Sequence, residues 1–126
     1  MKKRLILAKI MGLAFSSLTY AQKLPITVIG KWETPDKDVI EFYNDGSAII
    51  ARQVNTQTDK DKPYNGKIVA KELKPVSNTV FEGTVIDPKD NKQYNGKFIL
   101  NNNGEALQLK VKWGFLSFNE TWKRLK

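Results

Sequence analysis

The sequence contains no cysteine and no histidine among its 126 residues. Thiolate and imidazole metal ligands are therefore lacking, as are disulfide bonds and the Ser-His and Cys-His pairs of nucleophilic catalysis. Carboxylate, lysine, hydroxyl and aromatic side chains remain for chemistry. Apolar residues make up 40% of the chain and aromatic residues 10%. This content excludes general disorder and allows one domain with a hydrophobic core.

Half of the net positive charge of the chain lies in its first 21 residues. The chain has 21 basic and 13 acidic residues, a formal charge of +8. Residues 1–21 hold four of the basic and none of the acidic residues, so the other 105 residues carry 17 against 13, or +4. Lys97, Lys110 and Lys112 alternate with apolar residues, as on the solvated face of a strand. We therefore expect no nucleic-acid partner.

The first 21 residues have the pattern of a secretory signal peptide. Four basic side chains lie within residues 1–9, and a short apolar stretch covers residues 10–18. Thr19 and Ala21 fit the −3 and −1 positions for cleavage after Ala21. A retained anchor helix is the alternative, although the stretch is short for a membrane span. We expect export to the periplasm or secretion, and no transmembrane span after cleavage.

From residue 26 onwards, apolar residues alternate with polar ones as in antiparallel strands. Residues 107–113 are the clearest case, and Asn44-Asp45-Gly46 is the strongest hairpin turn. We predict eight strands, at about residues 27–33, 38–43, 47–54, 67–73, 80–87, 94–100, 107–113 and 116–125. The aspartates between them are expected to accept local backbone hydrogen bonds, and residues 56–62 to form a polar surface loop.

Eight short strands joined mostly by hairpins leave two exposed edges unless the sheet closes. An eight-stranded, antiparallel up-and-down barrel has no edges, and its interior is filled by side chains or holds one small ligand. We therefore predict a single all-β barrel domain over residues 22–126. A two-sheet β-sandwich is the alternative.

The two ends of the mature chain supply the residues for closure. In a closed barrel the first and last strands are neighbours, so Trp32 and Arg124 are predicted to meet, with the guanidinium across the indole. Gly30 would allow another backbone segment or a ring to approach closely. Trp122 shares a face of the last strand with Arg124.

These residues resemble the lipocalin and calycin signature, an N-terminal Gly-x-Trp packed beneath a late arginine. A longer resemblance, over most of residues 30–124, is to exported bacterial proteins catalogued as domain of unknown function 2147. It is carried by Gly-Lys-Trp-Glu-Thr at residues 30–34, Ile-Glu-Phe-Tyr at 40–43, Val-Ile-Asp-Pro at 85–88 with Tyr94, and Thr-Trp-Lys-Arg at 121–124. The resemblance implies a small envelope protein with a barrel-like domain and brings no established activity.

Glu120 is the most informative acidic residue. It shares strand parity with Phe118 and Trp122, so an inward face would place its carboxylate among aromatic rings. We expect it to pair with Arg124, Arg52 or a tyrosine hydroxyl, either as a structural ion pair or as the polar end of a ligand pocket. Phe42 and Leu109 are further expected wall residues. The residues assigned to ligand binding are Tyr43, Arg52, Tyr94, Phe98, Trp113, Phe118 and Glu120.

The function that these observations favour is a non-catalytic, monomeric binding module for a small, largely apolar ligand, with no cofactor or metal. An envelope interaction protein with a filled barrel is the alternative. No nucleophile-base pair or phosphate-binding glycine-rich loop is visible in the sequence, which argues against an enzyme. Two inward carboxylates with perturbed pKa values in one cleft would argue for one.

Overall fold

The computed structural model of the protein describes residues 27–56 and 58–126. The predicted signal peptide and its cleavage site lie outside these residues. Eight strands and one short 3-10 helix, Lys62–Tyr64, make up the regular structure of the described residues. The strands are β1 (Gly30–Glu33), β2 (Val39–Asn44), β3 (Ile49–Val54), β4 (Ile68–Pro75), β5 (Val80–Ile86), β6 (Gln93–Leu100), β7 (Ala106–Trp113) and β8 (Leu116–Arg124).

Each strand pairs antiparallel with the next, and β8 returns to pair with β1. The result is a closed barrel in which every strand has two hydrogen-bonded neighbours. The predicted up-and-down barrel is therefore confirmed, and the sandwich alternative is wrong. Within residues 27–56 and 58–126, no helix has the length and hydropathy that a membrane crossing requires.

The strand registers define two ends of the barrel. At the end that we call the mouth lie the β1–β2 loop (residues 34–38), the β3–β4 connection (residues 55–67), the β5–β6 loop (residues 87–92) and the β7–β8 turn. At the other end, the base, lie residues 27–29 and the remaining hairpin turns. This division matters because the two ends are packed differently.

Alternation along β6 and β7 sorts their side chains as predicted. Phe98 and Leu100 are buried on β6, and Leu107, Leu109 and Val111 are buried on β7, while the lysines between them are exposed. The residues facing inward thus form one continuous core. Trp113 continues the inward row but is 41% exposed, because β7 ends at the mouth.

The base is closed by Trp32 and Arg124, as predicted. The two residues are directly opposite in the β1–β8 register, and the guanidinium carbon lies 4.3 Å from the indole centroid. Trp32 is fully buried, and its indole N–H donates to the Val28 carbonyl at 2.9 Å. A Cβ at Gly30 would lie 3.0 Å from Arg124 Nη1, so the missing side chain leaves room for the guanidinium.

The hydrogen bonds of Arg124 join three segments at the base. Nε donates to the Gly104 carbonyl at 2.7 Å, Nη1 to the Ile29 carbonyl at 3.0 Å, and Nη2 to the Thr27 carbonyl. Here the first strand differs from its prediction: it begins at Gly30 rather than at Thr27. Gly30 has a φ of 128°, which turns residues 27–29 out of the ladder and towards Arg124.

The barrel bends sharply across β3, β4 and β5, where the registers shift. Glu72 adopts a positive φ of 57° within β4, and adjacent residues Val69 and Ala70 are both buried. A Cβ at Gly83 would lie 2.7 Å from the Lys71 carbonyl oxygen, so glycine is needed where the strands approach. Such bulges increase local twist and allow a sheet to curve into a barrel.

Removing the guanidinium should weaken the closure of the barrel. We expect Arg124→Met to lower the free energy of unfolding by about 2–4 kcal/mol, because three carbonyls lose a charged donor and the indole loses its cation. Lys123→Met, on the exposed side of the same strand, should change it by less than about 0.5 kcal/mol. Urea denaturation followed by tryptophan fluorescence measures both. Equal effects of the two variants would contradict the assigned role of Arg124.

Candidate functional site

A cavity of about 560 Å³ occupies the half of the barrel next to the mouth. Strand residues form its apolar wall, and loop residues from three of the mouth connections surround its opening. The strand residues that contribute apolar side chains are Ile40, Val69, Val85, Ile86, Leu109, Val111 and Trp122, with Tyr94, Trp113 and Phe118 on one side. The cavity thus combines an apolar wall with a polar opening.

Below the cavity, the interior is filled by an aromatic floor of Phe42, Phe98 and Trp122. The Phe42 and Phe98 rings meet edge to face with centroids 5.1 Å apart, and Trp122 lies 5.5 Å from Phe98 and 6.2 Å from Phe42. Of the three, only Trp122 also borders the cavity. The floor separates the cavity from the Trp32 and Arg124 closure at the base.

Three further rings form an aromatic wall, defined here as Tyr94, Trp113 and Phe118. The Tyr94 and Trp113 centroids are 5.7 Å apart, and those of Trp113 and Phe118 are 6.4 Å apart. They come from three neighbouring strands and all border the cavity. Alternation brings them to one surface because each occupies an inward position near the mouth end of its strand.

Glu120 brings a carboxylate into this apolar surface. Its Oε1 accepts a hydrogen bond from the Trp122 indole N–H at 2.6 Å. The expected partners were Arg124, Arg52 or a tyrosine, and that expectation is wrong. Arg124 is engaged at the base, whereas the indole lies two residues along the same strand face. A charged acceptor gives a stronger hydrogen bond than a neutral one, which favours this rotamer.

Asp38 and Asp61 form a second acidic group, at the mouth. The pKa of Asp38 is raised from its ordinary 3.8 to about 6. Burial is the largest cause, and the charge and hydrogen bonding of Asp61 and the charge of Asp36 add to it, while a hydrogen bond from Thr56 acts in the opposite direction. The Asp38 Oδ1 atom is buried without a hydrogen-bond partner. The two loops at this side of the mouth therefore meet through carboxyl groups.

The segment predicted as a polar surface loop contributes directly to this contact. Thr56 and Asp61 are buried rather than solvated, and the 3-10 helix follows them. Thr56 exchanges two hydrogen bonds with the Asn65 amide, and the buried Gln53 side chain donates to the Asp61 carbonyl at 3.1 Å. These bonds hold the segment at the mouth. The predicted surface loop is therefore right for residues 58–60, which are exposed, and wrong for the buried Thr56 and Asp61.

One comparison with known proteins decides the family. A family model described as an uncharacterized protein conserved in bacteria (DUF2147) matches residues 30–124. The chain belongs to this family. The comparisons with curated proteins and with solved structures found no match.

The DUF2147 match confirms the family predicted from the sequence. It begins at the first residue of β1 and ends at the last residue of β8, so it covers the whole barrel, including both residues of the base closure. Kinship with lipocalins stays a prediction from the Gly-x-Trp element and Arg124. The family description carries no activity, so any function must be argued from the cavity.

The structure brings together four of the seven residues assigned to ligand binding. Tyr94, Trp113, Phe118 and Glu120 all border the cavity. Phe98 is 1% exposed and belongs to the aromatic floor beneath the cavity, as does Phe42, which was expected in its wall. Both residues belong to the floor because Phe42 lies near the base end of β2 and Phe98 near the base end of β6.

Tyr43 and Arg52 lie on the outer face, so their predicted place in the interior is wrong. Phe42 is buried on β2, and alternation turns its neighbour Tyr43 outward. Arg52 lies 4.9 Å from the Tyr43 ring centroid and forms a 3.1 Å ion pair with Glu41, its cross-strand partner. Both residues stabilise the outside of the β2–β3 hairpin.

Sequence reasoning missed Gln53, Asp38 and Asp61. Gln53 carried a readable signal, because it shares the inward parity of Ala51 on β3. The two aspartates carried none, since each lies in a turn-rich segment where aspartate has a local role; Asp45, Asp87 and Asp90 do have that role. Within the part of the chain that the structure describes, no group of three or more acidic side chains is placed to hold a metal ion.

The raised pKa of Asp38 predicts a defined pH dependence of stability. Between pH 3.8 and about 6 the folded protein keeps a proton on Asp38 that the unfolded chain has released. The contribution of this group to the free energy of unfolding therefore falls as the pH rises through that window. Asp38→Asn removes the charge and places an amide donor beside Asp61.

We expect Asp38→Asn to be more stable than the parent protein by about 1 kcal/mol near pH 7.5, which is less than the pKa shift alone implies because solvent screens this partly exposed group. The difference should shrink towards pH 4. Urea denaturation across this range measures it. Asp90→Asn is the matched control, because Asp90 is exposed and Asn retains its side-chain acceptor for the Lys92 N–H. A stability difference for Asp38→Asn that does not change with pH would contradict the account.

Proposed function

We propose that this protein is an exported, non-catalytic binding protein that holds a small, largely apolar molecule inside the barrel. The observation that carries the proposal is the cavity beneath the mouth, whose volume of about 560 Å³ lies in the range that small-molecule ligands occupy in proteins. Its wall is mostly aliphatic and aromatic, with a few polar groups. That composition suits burial of an apolar ligand and its orientation by hydrogen bonds.

The packing below the cavity supports the same proposal. The aromatic floor and the Trp32 and Arg124 closure fill the base half of the interior. The space above them is open. Val69, Val85 and Val111 border this space, and longer side chains at these positions would fill part of it. An interaction protein with a filled barrel, the alternative expectation, has less support because the mouth half contains this space.

Catalysis by the two carboxyl groups at the mouth has little support in their geometry. Asp38 and Asp61 are near enough for their charges to interact, as in acid-base pairs. However, the Asp38 Oδ1 atom is shielded from solvent, and Asp61 is itself buried. A shielded oxygen is poorly placed to transfer a proton to a substrate, even though both residues border the cavity. A binding role therefore has the stronger support.

The proposal can be tested on protein purified from its own host. We expect the mature chain to begin at Gln22, as cleavage after Ala21 requires, and native mass spectrometry to show an added mass that denaturation releases. A control prepared by refolding the same protein should lack the mass and regain it from a lipid extract of the host. Protein that retains residues 1–21, or that is ligand-free from both sources, would contradict the proposal.

The aromatic wall should contribute to affinity for a neutral apolar probe. We expect Trp113→Ala to raise the Kd of N-phenyl-1-naphthylamine about 5–10-fold, because one ring face of the wall is lost. Titration of probe fluorescence measures the Kd. Phe115→Ser is the control: its ring is 97% exposed and does not border the cavity, so the Kd should stay unchanged. If both substitutions change the Kd equally, Trp113 does not contribute to the binding site.

A further inference from the structure

The charge of the cavity is opposite to the charge of the chain. Outside residues 1–21, the sequence has 17 basic and 13 acidic residues. The residues that border the cavity include five acidic ones, Asp36, Asp38, Asp61, Asp87 and Glu120, and two basic ones, Lys60 and Lys89. Both lysines lie on loops at the mouth. The potential inside the cavity is therefore negative, in a protein whose surface is otherwise basic.

Glu120 is the acidic residue that extends deepest into the apolar part. It is paired across the sheet with Leu109, one inward position below Phe118 and one above the aromatic floor. Among residues 27–56 and 58–126, no lysine or arginine forms an ion pair with it, and the Trp122 indole supplies a single neutral hydrogen bond. A partly buried carboxylate without a cation nearby is costly, and a ligand that brings the cation reduces the cost.

Aromatic residues lie next to Glu120 along the cavity wall. Phe118 is the next inward residue on the same strand, and Trp113 and Tyr94 continue the aromatic wall from it. A ring face attracts a cation through its quadrupole, more strongly where water is excluded. A carboxylate bordered by several rings is thus suited to an ammonium group, since the charge meets Glu120 and the attached carbons meet the rings.

We propose that the ligand is a small hydrophobic amine, whose ammonium group is held by Glu120 within the aromatic wall and whose apolar body packs against Ile40, Val69 and Val85. This inference rests on the proposed function and gives its ligand a chemical class. The carboxylates at the mouth attract such a ligand and disfavour anions of the same shape.

The mouth carboxylates add an independent consequence. Burial, the neighbouring charge and hydrogen bonding of Asp61, and the charge of Asp36 raise the pKa of Asp38 to about 6. An ammonium group held at Glu120 lies in the same cavity as Asp38, and its charge favours the ionised form of Asp38 and lowers that pKa. Binding of an amine near pH 6 should therefore release protons, whereas binding of a neutral molecule of the same shape should not.

The test uses three ligands with one apolar body and different charge: 4-phenylbutylamine, 4-phenylbutanol and 4-phenylbutanoate. Isothermal titration near pH 7.5 should show that the amine binds at least about tenfold more tightly than the alcohol, and that the carboxylate binds most weakly. Near pH 6, titration of the amine in two buffers of different ionisation enthalpy should reveal proton release.

Glu120→Gln assigns the effect to one side chain. Its amide oxygen can still accept the Trp122 indole N–H, so we expect the alcohol to bind as before while the preference for the amine falls to about threefold or less. Glu82→Gln is the matched control; Glu82 pairs with Lys97 on the outer face, and its loss should leave all three affinities unchanged. If Glu120→Gln does not fold, the proton release of the unaltered protein still tests the charge of the ligand.

The outcomes separate the two proposals. If the alcohol binds and the amine binds no more tightly, the inference of a cationic ligand is overturned while the proposed binding function stands. If none of the three ligands nor N-phenyl-1-naphthylamine binds, both are overturned. If the amine is preferred but Glu120→Gln keeps the full preference, the assignment of Glu120 is wrong.

Discussion

The guanidinium of Arg124 is the contact on which barrel closure depends. The seam between β1 and β8 has two directly paired positions, Trp32 with Arg124 and Glu33 with Lys123, whereas β7 and β8 pair along eight. Arg124 strengthens this short seam from the base by binding carbonyls of residues 27, 29 and 104 and by covering the indole of Trp32. A planar group with five donors can make all these contacts at once, which an ammonium group cannot.

Side-chain size along the barrel axis explains why a cavity remains. Large rings, those of Trp32, Phe42, Phe98 and Trp122, fill the base half, where eight strands leave room only for side chains. Towards the mouth, the inward positions opposite the aromatic wall include the smaller residues Val69, Val85 and Val111. Residue volume therefore contributes to where space is left.

The barrel and its closure were predictable from the sequence because both follow from local rules. Alternation and turn chemistry act over a few residues, and closure follows from the count of strands. The errors about the site have two different sources. Tyr43 and Arg52 were assigned by residue type, although Phe42 and Ala51 next to them already indicated the opposite face.

The pairing of Asp38 with Asp61 had no such signal. The two residues are far apart in sequence, and the contact arises from the way in which the β3–β4 connection folds over the mouth. The local sequence around each aspartate is typical of an ordinary turn. Cavity volume was equally beyond sequence reasoning, because it depends on rotamers and on the register shifts of β4.

The sealed base has a kinetic consequence. Since the floor and the arginine closure block one end, a molecule inside the barrel enters and leaves through the mouth alone, past the loops of residues 34–38, 55–67 and 87–92. Exchange then takes place past the connecting segments and requires no separation of strands. The exit path of a ligand and the closure of the barrel therefore lie at opposite ends of this molecule, so a change at the base can alter resistance to unfolding without altering the exit path.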